Sequence, residues 1–106
     1  MKELTELTEK ELLSRLAEAG GGREAILFFT PLCGTCKVAE RMLQVVEASG
    51  QAIPLHKLNI NYARELRQRW QVASVPCLVV VEAGEVQARE YAMHGVDFLF
   101  NLLKEA

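Results

Sequence analysis

Apolar residues in this chain fall into two patterns, helical spacing and short unbroken runs, and the two take turns. Leu12, Leu13, Leu16 and Ala17 form one helical face. The preceding Thr8-Glu9-Lys10-Glu11 has capping-box form: Thr8 caps the helix, Glu11 reaches back, and Leu7 and Leu12 take staple positions. Gly20-Gly21-Gly22 ends that helix. Ala25 to Phe29 is short and continuously apolar, as in a strand covered on both faces. Helical spacing then returns with Val38, Met42, Val45 and Val46, widened by Ala39 and Leu43 and closed by Ser49-Gly50.

The second half repeats the alternation. Ile53 to Leu58 reads as another inner strand, with Pro54 confined to its entry or to an edge. Asn61 stands where it can cap a short helix through Trp70. Tyr62 and Trp70 are expected to pack that helix onto the sheet, and Arg64, Glu65, Arg67 and Arg69 to face solvent. After Val75-Pro76, the run Cys77-Leu78-Val79-Val80-Val81 is strand-like. Glu82-Ala83-Gly84-Glu85 reads as a tight hairpin connection, and Glu85 to Tyr91 as the returning antiparallel strand. Asp97 is expected to cap a closing helix that carries Phe98, Leu99, Leu102 and Leu103. Together these predict one α/β domain over residues 1–106, a mixed β-sheet between helical layers.

Composition narrows the function classes. A chain of 106 residues can bury a core without disulfide staples. The formal charge is −2, with no basic cluster, so no phosphate-backbone footprint is present and nucleic acid is not an expected partner. The N-terminal stretch lacks the apolar segment of a secretory signal. No apolar run approaches the roughly 18 residues of a membrane span. Three cysteines is an odd count, which argues against a stapled secreted domain and for a reducing, cytoplasmic setting.

The chemistry is concentrated in Cys33-Gly34-Thr35-Cys36, where the first apolar run gives way to a helical pattern. The first turn of a helix has unpaired N–H groups and partial positive charge, and so favours a thiolate over a thiol. The spacing lets one sulfur attack outward while the other closes the ring behind it. Dithiol–disulfide exchange is the leading reading; half of a zinc site and an inert pair remain open beside it. No second Cys-x-x-Cys or His pair at ligand spacing accompanies the motif, although Cys77, His56 and His94 could complete a site by folding together. Cys77, on its apolar run, reads either as a small buried hydrophobe or, beside Pro76, as a third thiol or cluster ligand. His56 and His94 have no partner visible in the sequence.

The stretch Phe29-Thr30-Pro31-Leu32-Cys33-Gly34-Thr35-Cys36-Lys37 resembles the active-site region of the thioredoxin family. Lys57-Leu58-Asn59-Ile60, Val75-Pro76, Gly84 and Gly95 extend the resemblance over nearly the whole chain. It implies the thioredoxin fold and a protein disulfide reductase that needs no dissociable cofactor or metal. By the same resemblance Cys33 is the exposed nucleophile, Cys36 the buried resolving thiol and Pro76 a cis-proline beside them. An extended substrate segment would pair with the Val75 backbone and lie over Leu32, Gly34 and Thr35. The implied partners are protein disulfides and a thiol-based electron donor, the implied state a monomer. Fold-only alternatives are a binding module with little turnover and a metal or iron–sulfur carrier built on Cys33, Cys36 and Cys77.

Departures from the family pattern change the expectations. Leu32 replaces an aromatic residue, Thr35 a proline between the cysteines, and Arg41 a proline that kinks the helix. Leu27 occupies the place of a buried aspartate that helps move a proton at the resolving cysteine, in company with the lysine that Lys57 resembles. Leu27 cannot accept a proton. Lys57 is thus expected either to snorkel to solvent or to find a replacement acid, because an unpaired buried ammonium is costly. Slower release of mixed disulfides than in a Leu27→Asp variant is the kinetic expectation.

Overall fold

Strand Arg23–Phe29 is buried on both faces, so its neighbours and the helices above and below it determine the architecture. The computed structural model describes residues 2–18 and 20–105. Met1 and Ala106, the bounds of the expected domain, and Ala19 lie outside the described residues. In chain order the elements are β1 (Thr5–Glu6), α1 (Glu9–Glu18), β2 (Arg23–Phe29), α2 (Gly34–Ala48), β3 (Leu55–Asn59), a 3₁₀ turn (Ile60–Tyr62), α3 (Arg64–Arg69), β4 (Cys77–Glu82), β5 (Glu85–Glu90) and α4 (Val96–Leu103). The strands form one sheet in the order β1-β3-β2-β4-β5. β1, β3 and β2 run parallel, while β4 and β5 are antiparallel to their neighbours.

Alternation along each strand sends side chains to two separate cores. On one face Ala25, Leu27, Leu55, Leu78 and Val80 meet Ala39, Leu43 and Val46 of α2 and Leu99 and Leu103 of α4. On the other, Ile26, Phe28, Leu58, Cys77 and Val79 meet Leu12 of α1 and Leu66 and Trp70 of the α3 region. The sheet is thus mixed and helix-covered on both sides, as its apolar runs predict.

Local chemistry accounts for most boundaries. The capping box forms as its residues dictate: Thr8 N–H donates to Glu11 Oε1 at 2.9 Å and Glu11 N–H to Thr8 Oγ1 at 3.1 Å. The β4–β5 hairpin turns through Ala83 and Gly84, both with positive φ. Gly84 takes that conformation without a Cβ penalty, which Ala83 bears.

One element is added and three expectations are corrected. The N-terminal segment contributes β1, a two-residue edge strand too short to show a period of its own. Asn61 does not cap α3; Asn59 caps the 3₁₀ turn through Asn61 N–H, and α3 begins after Ala63 with no side-chain cap of its own. Instead Glu9, from α1, accepts the Leu66 N–H at 2.7 Å, a long-range contact that no local pattern reveals. Asp97 lies inside the first turn of α4, whose N-cap is Gly95. Tyr62 is 76% exposed, so Trp70 alone packs inward, edge-on to Phe28 with ring centroids 6.1 Å apart.

The Glu9 contact generates a stability prediction. A hydrogen bond to a charged acceptor is worth about 1.5–3 kcal/mol, less where water can replace it. Glu9→Ala should therefore lower unfolding stability by about 1–2 kcal/mol. Urea denaturation checks this, and an unchanged midpoint would show that the contact contributes nothing.

Candidate functional site

The carboxyl end of β2 and the amino end of α2 are joined by Thr30-Pro31-Leu32-Cys33, which brings a cysteine to the mouth of a 15-residue helix. Cys33 is the N-cap of α2. Its Sγ accepts the Cys36 N–H at 3.1 Å, taking the place that a serine or aspartate oxygen often holds. The Thr35 hydroxyl lies 3.4 Å from the same sulfur. Cys33 and Cys36 are joined as a disulfide, with their Cα atoms 5.2 Å apart. Cys33 is partly exposed and Cys36 is buried, so the two sulfurs differ in access. Beside them Leu32 stands 97% exposed, an apolar side chain with no intramolecular cover. Arg41, in place of a proline, leaves α2 uninterrupted.

The Val75–Pro76 peptide bond is cis. The segment before it is tied to β5 and its end. Arg89 Nε donates to the Trp70 carbonyl at 3.0 Å, and Ala73 N–H donates to the Tyr91 hydroxyl at 3.0 Å. Neither Arg89 nor Tyr91 was marked by a motif; the hairpin brings them to residues far upstream, so only the register shows them.

Lys57 proves to have its replacement acid. Its Nζ sits 3.0 and 3.1 Å from the two carboxylate oxygens of Glu40, and 5.1 Å from the centroid of the Phe29 ring. Glu40 Oε2 also accepts the Leu4 N–H at 3.2 Å. Leu27, paired in register with Lys57, is fully buried and supplies only apolar contact. Glu40 is the residue beside Cys36 and Lys57 that the motif reading missed. The available signal was spacing: four residues after Cys36, one helical turn on, it shares that cysteine's side of α2. Both line a cavity of about 420 Å³ together with Lys57, Thr30 and Pro31.

The remaining candidates lie elsewhere. Cys77 projects from β4 into the core on the α1 and α3 side, whereas α2 covers the opposite face. The three thiols therefore do not converge, and Cys77 packs as the small hydrophobe of the plainer reading. Among the described residues no group of three or more His, Cys, Asp or Glu side chains could hold a metal ion. His56 alternates with Lys57 on β3 and so points to the face away from Cys36. Burial, and then the Arg15 charge, pull its pKa down; Glu24, which Arg15 binds at 2.6 Å, opposes them. His94 is an exposed residue with positive φ, packed against Phe98 and 3.7 Å from Glu90.

Burial pushes the Cys77 thiol up to about 11; a Tyr91 hydrogen bond and Arg89 act weakly downward, and Glu90 upward. At pH 8 only about one such thiol in a thousand is ionised, and solvent reaches none of it. The folded, oxidised protein should resist alkylation at pH 8 and take up a single label once denatured. Mass spectrometry counts the labels; rapid labelling of the folded form would contradict this burial.

Comparison with known proteins agrees with the geometry. The thioredoxin family model matches residues 3–105. "Thioredoxin-like protein YusE" of Bacillus subtilis (strain 168) is 35% identical over 80 residues, 76% of each chain. A thioredoxin of Chlamydia pneumoniae is 27% identical over 78 residues, 74% of this chain and 76% of its own. Among solved structures, a mutant thioredoxin from Halobacterium salinarum NRC-1 superposes with a TM-score of 0.78 at 21% identity, covering 97% of this chain and 91% of its own. That likeness establishes the fold; the family match and the bonded Cys33–Cys36 pair carry the chemistry. The chain belongs to the thioredoxin family, and it is a thiol–disulfide oxidoreductase.

Proposed function

We propose that this protein reduces disulfides in protein substrates, with Cys33 as nucleophile and Cys36 as resolving thiol. The observation that carries the reading is the position of Cys33 Sγ, facing the unpaired N–H groups of α2 with the Cys36 N–H already directed at it. Those donors stabilise an anion more than a neutral thiol, and the Thr35 hydroxyl adds to them.

In the first step the Cys33 thiolate attacks one substrate sulfur. The substrate S–S bond breaks, a Cys33–substrate disulfide forms, and the departing substrate thiolate takes a proton from solvent. Cys36 then loses its proton and attacks Cys33 Sγ, which releases the second substrate thiol. Two electrons pass from the dithiol to the substrate, leaving the Cys33–Cys36 disulfide seen in the structure. A second thiol system returns the electrons.

The surface around the sulfurs suits an extended polypeptide. Leu32 offers an uncovered apolar contact, Gly34 presents no side chain, and Val75 and Pro76 are only partly buried. Val75 would offer its backbone to the substrate segment. Further parts of the proposal are that residues 1–106 act as one monomeric domain and that the protein works in the cytoplasm. No helix among the described residues is long and apolar enough to cross a membrane.

Turnover of a protein disulfide in the presence of a regenerating dithiol tests the reading. Cys33→Ser should abolish turnover, and Cys36→Ser should accumulate a covalent complex through Cys33 that reductant releases. Undiminished turnover in Cys33→Ser would remove Cys33 as the nucleophile, and no turnover in the unaltered protein would instead favour a fold kept for binding.

A further inference from the structure

The reducing cycle leaves one requirement unassigned: when Cys36 attacks, its proton must go somewhere, and Leu27, buried on β2 in register with Lys57, can accept none. We infer that Glu40, on the resolving cysteine's own helix, is the proton acceptor for Cys36, held in position by Lys57 and the Leu4 N–H. This rests on the proposed roles of Cys33 and Cys36.

Three observations support it independently of the motif. First, Cys36 and Glu40 line the same cavity, whose volume of about 420 Å³ leaves room for water to carry a proton between them. Second, Glu40 is held in place rather than left to wander over the surface. Its side chain is 16% exposed, both oxygens lie within hydrogen-bond distance of Lys57 Nζ, and one accepts a backbone N–H from the N-terminal segment. Third, Lys57 enters this cavity from β3, with Leu27 buried next to it in register. A buried ammonium there needs an anion, and Glu40 is the acid it meets.

The charged groups bordering the cavity come from every element around it: Glu3 and Glu6 from the β1 segment, Lys37 and Arg41 from α2, and Lys57 from β3. Only Glu40 pairs with Lys57 among the described residues, and only Glu40 follows Cys36 by a single turn. In the resolving step the S–H proton passes to the Glu40 carboxylate, directly or through one water. The Cys36–Cys33 bond forms as the Cys33–substrate bond breaks, and the departing thiolate or solvent later takes the proton back from Glu40. With this acceptor in place, Leu27 no longer implies slow release of mixed disulfides.

The test follows that single step. Reduced protein is mixed with a coloured aromatic disulfide; Cys33 attacks it, releasing one aryl thiolate and keeping the other aryl thiol in a mixed disulfide, whose release by Cys36 is timed by stopped flow from pH 5 to pH 10. The unaltered protein should release the thiol at a rate that levels off through the neutral range. Glu40→Gln, nearly the same shape, should be at least about tenfold slower at pH 7. Its rate should climb about tenfold per pH unit, because only Cys36 already ionised by solvent then reacts, and should meet the unaltered rate at alkaline pH. Glu40→Asp should recover part of the neutral rate.

Equal rates for Glu40→Gln and the unaltered protein would overturn the inference. So would a slowing of the same size at every pH, since that marks a purely structural role. Failure of the unaltered protein to release the thiol would instead remove the assignment of Cys36 itself.

Discussion

A helix leaves its first N–H groups without partners inside the helix, and in α2 one of them is answered by the sulfur of Cys33. That contact couples chemistry to architecture. Aligned peptide dipoles and a directed N–H each favour a nearby anion by an amount on the order of 1 kcal/mol, and both act on a thiolate more than on a thiol. To hold the sulfur there the chain must leave β2 at Phe29 and turn through Thr30, Pro31 and Leu32. The helix must then start at Gly34. The burial of β2 between β3 and β4 keeps that departure point rigid.

The same sheet sorts reactive groups by face. Cys36, Glu40 and Lys57 gather on the α2 side, at the open end of β2, where a cavity admits solvent. Cys77, though it follows Pro76 directly, points through the sheet into the opposite core, where burial suppresses its ionisation. Neighbours in sequence are thus separated by a strand's alternation, and residues far apart are joined by its register. Tyr91 and Arg89 use the register in the same way, tying down the segment that leads to Val75 and Pro76.

How far the residues alone could be read follows from what is local. The Cys-x-x-Cys at a strand-to-helix junction, the capping box at Thr8 and Glu11 and the hairpin through Gly84 are short-range features, and all three form. The apolar runs foretold the layers because a strand covered on both faces has no polar alternation to confuse it. What escaped was set by distance. Glu9 reaches α3, Glu40 reaches Lys57, and β1 finds β3 only after the sheet exists. Lys57 was legible as a charge in need of a partner, while its partner required knowing which face of α2 meets β3. Tyr62 misled because an aromatic at helical spacing belongs to a turn that ends before α3 begins.

The measurement that bears most directly on this account is the ionisation of Cys33 in the reduced protein. It can be followed by thiolate absorbance in a Cys36→Ala background, which keeps the backbone N–H. The account predicts that Cys33 titrates below the ordinary cysteine value of about 8.5, and that Thr35→Val moves it upward. A thiol that titrates at or above the ordinary value, with or without Thr35, would contradict it.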